Sequence, residues 1–183
     1  MGLCANDMRA AVARPVPFLI RIGTGPGSSH RVEALGVVAE AARMRHQGVC
    51  TREDMLRFRD DDEWSVEVTG HPQNWSVQAS REAITTDTGL LLPLLDDPDP
   101  AVRIAAAYVL AAALDRAQDI RTALHSRLNT EDDPAVRAAL VLAIAQLGGA
   151  HRHEPTVVWA RDCWADPARP AEVRVSAALG WRC

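Results

Sequence analysis

Lysine is absent from this 183-residue chain: all twenty residues counted as lysine or arginine are arginine. Tyrosine occurs once and phenylalanine twice, and the net charge is −4. A chain of this balance lacks the basic stripe of a duplex-binding protein, so nucleic acid is not an expected partner. The four cysteines, Cys4, Cys50, Cys163 and Cys183, form no CxxC pair and no metal-ligand spacing, which argues against a cysteine-based zinc site. They fit reduced thiols in a cytoplasmic protein. No apolar run reaches the length of a signal peptide or a membrane span, so cytoplasmic placement without membrane contact is expected. No Ser-His-Asp, Cys-His or paired-carboxylate arrangement can be assembled from the sequence, and no catalytic residue, cofactor or metal is expected.

What the chain does have is alanine and an internal period. The string Asp-Pro-Ala-Val-Arg occurs twice, placing Arg103 and Arg137 34 positions apart, and a weaker copy places Arg174 a further 37 along. A period in this range is the signature of stacked two-helix units. The residues around each copy explain why a helix starts there. Aspartate carboxylates cap free N–H groups, proline occupies the first turn where its missing donor costs nothing, and acidic charge suits the positive helix pole. Behind the cap, Val102, Ala106, Val109, Leu110 and Ala113 recur at three- and four-residue steps, an apolar helix face. The arginine recurs at one position of each unit.

These strings, with Leu90-Leu91-Leu92-Pro93-Leu94-Leu95 ahead of the first, resemble HEAT repeats, particularly the short bacterial kind also seen in phycobilin-lyase-like proteins. The resemblance implies an all-α, right-handed α-solenoid of about four helix pairs, and a protein-interaction or scaffolding role. In such repeats the recurring arginine commonly reaches an aspartate of a neighbouring turn, so a structural role is expected for it. Residues 1–14 read as a leader that could be disordered, and 15–183 as one solenoid domain. The pairs are expected at about 90–95 with 99–113, 116–128 with 134–147, and 154–164 with 171–181, with Gly148-Gly149 as a helix stop. Aligning His30-Arg31-Val32 with the later copies offsets Arg31 from Arg103 by 72 positions, two periods, so residues 47–88 read as an irregular, insertion-like second repeat. Within it, Thr51–Arg59 suggests a short helix, Gly70–Trp75 a turn with Asn74 as an N-cap, and Ser76–Thr86 a helix.

Two segments invite a chemical reading and carry little of it. Gly23–His30 (GTGPGSSH) precedes a helix like a phosphate-cradling loop, but it lacks Gly-Lys-Ser/Thr and Pro26 removes a donor, so an inter-helix loop is expected. His151-Arg152-His153-Glu154 offers metal-binding atoms on a turn without convergent ligands. The interaction reading is more specific. The position five after the recurring arginine should face the concave side, giving Gly36, Tyr108, Leu142 and Leu179, a largely apolar column suited to a peptide, a partner helix or an apolar small molecule, or to packing against residues 47–88. Of the tryptophans, Trp159 and Trp164 read as packing residues. Trp64, His71, Asn74 and Trp75 lie where the sequence departs from its own repeat, and are candidate partner contacts. The expected function is therefore a non-enzymatic scaffold binding a protein or peptide on its concave face. A homo-oligomer through an uncapped C-terminal end is a further expectation. The alternatives are a ligand-handling protein or enzyme (lyase- or glycosylase-like) on the same scaffold, or a fragment of a longer array.

Overall fold

The computed structural model describes residues 13–43 and 70–182, with side-chain surroundings for 13–43 and 76–180. Among the described residues four helix pairs follow one another. The first is α1 (Val16–Thr24) with α2 (Arg31–Arg43). The second joins the short α4 (Thr88–Leu91) and a 3-10 turn (Leu92–Asp96) to α5 (Pro100–Leu110). The third is α6 (Ala117–Thr130) with α7 (Pro134–Ala150), and the fourth α8 (Glu154–Ala165) with α9 (Ala171–Arg182). The second helices stack in the order α2, α5, α7, α9. This is an all-α solenoid; in the pair spanning 88–110 Pro93 interrupts the first helix and leaves a 3-10 turn, while most of the 47–88 stretch expected to be an irregular repeat lies outside the described residues.

The helix starts follow from their aspartates. Asp99 accepts the Ala101 N–H at 2.8 Å, and Asp133 accepts those of Ala135 and Val136 at 2.8 and 3.0 Å. In both, proline fills the first helical position. Replacing Asp133 with alanine orphans two donors, and a loss of about 1 kcal/mol in urea unfolding is expected; a loss indistinguishable from zero would remove the cap from the explanation.

Two sequence expectations are corrected here. α3 runs from Gly70 to Thr86, so the Gly70–Trp75 stretch is helical and Asn74 lies inside the helix, not at its cap. Pro72 is tolerated because it sits in the first turn, where its missing N–H has no partner to lose. Helix α7 also continues through Gly148-Gly149 to Ala150. The reason is contact: a Cβ at Gly148 would lie 2.5 Å from Thr156 Cγ2, so glycine is there to admit α8. The expected Thr51–Arg59 helix lies outside the described residues.

The 72-position offset also resolves. α2 packs directly on α5, whereas α3 packs on α1 and α2 and does not separate those two layers. Arg81 of α3 donates to the Ala42 carbonyl at 2.9 Å, tying α3 to the last turn of α2. A continuous core runs between the two rows of helices through Leu35, Ile84, Leu110, Ile120, Leu140 and Ile144, all fully buried. The alanines lining it allow the close helix approach that a one-dimensional stack requires.

Candidate partner-binding face

The recurring arginine does two jobs. In every layer it donates to a carbonyl at the end of the first helix of its own pair. Arg31 Nε reaches Gly23 O at 3.1 Å, Arg103 Nη1 reaches Asp97 O at 2.7 Å, Arg137 Nη1 reaches Glu131 O at 2.8 Å, and Arg174 Nε reaches Trp164 O at 3.1 Å. A cation placed there satisfies the negative, unpaired end of the helix. In two layers the same side chain also reaches the turn of the next: Arg31 pairs with Asp97 at 2.5 Å, and Arg103 grips Glu131 through Nε and Nη2 at 2.9 and 3.2 Å. An aspartate of a neighbouring turn is reached by Arg31, and Arg103 reaches a glutamate there, whereas the contact that recurs at all four arginines is the carbonyl cap within the layer.

Glu131 is the centre of this ladder, with only 2% of its side chain exposed. Besides Arg103 it accepts from Arg127 Nε and Nη2 at 3.0 and 2.8 Å and from the Asp133 N–H at 2.9 Å. Arg127 in turn reaches Asp96 at 3.1 Å. Burial alone would raise the Glu131 pKa, but the Asp133 N–H and the two guanidiniums outweigh it and hold the carboxyl at about 2. The ladder stops at the last interface, where Ala168 occupies the position of Asp97 and Glu131. There the layers are held instead by close approach: Val141 of α7 is buried with Val173 and Ala177 of α9 and Cys163 of α8.

The candidate column separates along the stack. Tyr108, on α5, is half-buried, and the Arg43 guanidinium lies over its ring at 5.2 Å while donating to Gln146 Oε1 at 3.2 Å. Tyr108 is thus covered by a cation bridging three layers. Leu142 is half-buried, Gly36 is exposed, and Leu179 is 52% exposed. Beside Leu179 stand Val175 and Trp164, at 56% and 52% exposure. Together with Ala171, Arg174 and Ala178 they line a groove of about 330 Å³ between α8 and α9. Trp164 is therefore a surface residue, contrary to its reading as packing. Trp159 does pack, edge-on to His125 with ring centroids 4.8 Å apart. Five residues separate the two tryptophans on one helix, which turns them to different sides. Of the other candidates, Trp64 lies outside the described residues, while His71, Asn74 and Trp75 fall on the first turns of α3.

His125, packed against Trp159, makes stability pH-dependent. Burial first, and the Arg121 cation second, lower its pKa from the ordinary 6.5. A histidine depressed in the folded state is protonated more readily when unfolded. Stability should therefore be full above pH 6.5 and fall as pH drops below it, with Trp159 emission changing in step. His125→Phe should flatten that profile; an unchanged slope would show that another group titrates.

The other motifs are occupied locally. His153 Nδ1 lies 2.8 Å from Thr156 Oγ1, and among the described residues no three histidine, cysteine or acidic side chains converge as metal ligands. Gly25–His30 is the loop joining α1 to α2, with Gly27 at φ 87°. No described helix is long and apolar enough to cross a membrane.

The HEAT-repeat family model matches residues 88–180 of these stacked helix pairs, just over half the chain. The chain belongs to the HEAT-repeat family. No curated protein and no solved structure matches it. The HEAT match covers the second, third and fourth layers, and the Arg31–Asp97 pair attaches the α1–α2 layer to them. HEAT repeats are commonly protein-interaction scaffolds.

Proposed function

We propose that this HEAT-repeat chain is a non-catalytic protein-interaction module that binds a protein or peptide along the column Tyr108, Leu142 and Leu179, with its strongest contact at the α8–α9 layer. The observation that supports this most is the adjacency of Trp164, Val175 and Leu179, three large apolar side chains each more than half exposed. Contiguous apolar surface of this kind marks interaction sites, and tryptophan is a frequent anchor within them. Within the column Arg43 covers Tyr108, Leu142 is half-buried, and Leu179 is exposed. Trp64, His71, Asn74 and Trp75, where the sequence departs from its own repeat, are proposed as a second contact.

The test is native purification of the tagged full chain from its own cell, beside a Leu179→Asp variant checked for unchanged helicity. A stoichiometric protein that accompanies the parent chain and is lost from the variant is the expected result. A retained small molecule with no protein, indifferent to Leu179→Asp, would replace the proposal with a ligand-handling function.

A further inference from the structure

The exposed side of α9 is the side that inner layers use for stacking. In α7 the residue four after the recurring arginine is Val141, which is 1% exposed because Val173, Ala177 and Cys163 of the next layer bury it. The same position is Ala107 in α5 and Leu35 in α2, both fully buried. In α9 it is Ala178, flanked by Val175 and Leu179 on the groove wall. The opposite side of α9 faces inward, since a Cβ at Gly180 would collide with Ala145 of α7. By position along the helix, then, Val175, Ala178 and Leu179 form a layer-stacking face. Charge says more about what fits it. Arg174 lines this groove with Nε committed to the Trp164 carbonyl, just as Arg31 and Arg103 are committed to carbonyls of their own layers. Those two use their remaining donors on a carboxylate in the turn of the next layer.

Resting on the protein-interaction reading above, we propose that the α8–α9 groove docks a helix pair of a partner protein as an additional layer. The partner's inter-helix turn carries an aspartate or glutamate that pairs with Arg174. The occupant is a partner and not a second copy of this chain, because of what the chain can offer at that turn position. Its outer layers have Gly25 and Ala168 there, while Asp97 and Glu131 are already held by Arg31, Arg103 and Arg127. A second copy therefore brings the apolar surface without the charge. A helix pair with an acidic turn supplies both, and the carboxylate fixes its register along the groove.

The probe is a synthetic peptide of residues 111–150, a helix pair with Glu131 in its turn and no tryptophan, titrated onto the full chain while Trp emission is followed. Binding is expected, weakened about tenfold by Arg174→Gln in the chain and about tenfold by Glu131→Gln in the peptide. The two changes together should weaken it no more than either alone, as for partners in one contact. Leu179→Asp should abolish it. A second measurement covers a peptide that does not fold when free: the same segment appended after Cys183 should raise Tm, and Arg174→Gln should remove most of that rise. Absence of both binding and a rise in Tm overturns the inference. So does binding indifferent to Arg174 and Leu179, which would be insertion elsewhere in the stack, and so does self-association of the chain that Leu179→Asp abolishes. If Leu179 still governs capture of a cellular protein in those cases, only the helix-pair occupant is wrong; loss of that capture as well would remove the interaction reading itself.

Discussion

Glu131→Gln is expected to lower the unfolding free energy at neutral pH by about 3 kcal/mol. The carboxylate is 2% exposed and accepts from Arg103, from Arg127 and from a backbone N–H. Glutamine keeps the shape and one acceptor oxygen, but it strands two guanidiniums in a region built around one negative charge. Breaking a buried pair from one side costs about 3–5 kcal/mol. The lower end applies because Arg103 and Arg127 are 11% and 20% exposed and regain some water. The acid profile gives an independent reading. With a folded pKa of about 2 against an ordinary 4.5, the carboxylate's contribution is complete above pH 4.5 and is lost as pH falls toward 2. The variant should therefore show a flatter stability curve across that window. Chemical unfolding of both proteins at several pH values checks both statements. A loss below about 1 kcal/mol, or an unchanged acid profile, would mean that the cluster is solvated and contributes little.

Gly180→Ala should destabilise the chain by about 2 kcal/mol, although the same change in an exposed helix stabilises by roughly 1 kcal/mol. The sign is reversed by contact. A Cβ on Gly180 would run into the Ala145 side chain and lie 3.1 Å from the Leu142 carbonyl and 3.3 Å from the Gln146 nitrogen, backbone atoms that cannot rotate away. The last layer has no carboxylate rung, so this close approach and the Val141–Val173–Ala177 cluster are what hold it. Gly36→Ala is the internal control, since nothing lies within 4 Å of its added Cβ. That variant should gain roughly 0.5–1 kcal/mol. Adding Ala145→Gly to Gly180→Ala should recover part of the loss, a coupling that a double-mutant cycle measures. Equal effects of alanine at positions 36 and 180 would show that α9 does not pack as closely as described.

The parts of the fold that were legible in the sequence are those encoded within a few residues. Asp99 and Asp133 cap helices through donors two and three positions away, and the Asp-Pro-Ala-Val-Arg string therefore announces each second helix. The period of the arginines likewise marks the stacked two-helix units. The features not encoded locally depend on long-range contact. Glu131 reads in the sequence as one more acidic residue before a proline, because its partner Arg103 is 28 positions distant. Gly148-Gly149 reads as a stop, and only the approach of Thr156 shows why glycine is needed inside a continuing helix. Arg43 over Tyr108 was equally invisible, since the two lie on helices brought together by the direct α2–α5 stack. The candidate face divides along the same line. Leu179 was found from its distance to the arginine, a local count, whereas Trp164 joins it only because α8 and α9 are neighbours.

The most direct test of a partner-binding C-terminal layer is amide hydrogen exchange on the full chain, alone and with the protein it captures. Protection should concentrate in residues 154–180, spanning α8 and the Val175–Leu179 face, with smaller changes along α5 and α7. Protection confined to α1 and α2, with the last layer exchanging as in the free chain, would contradict it.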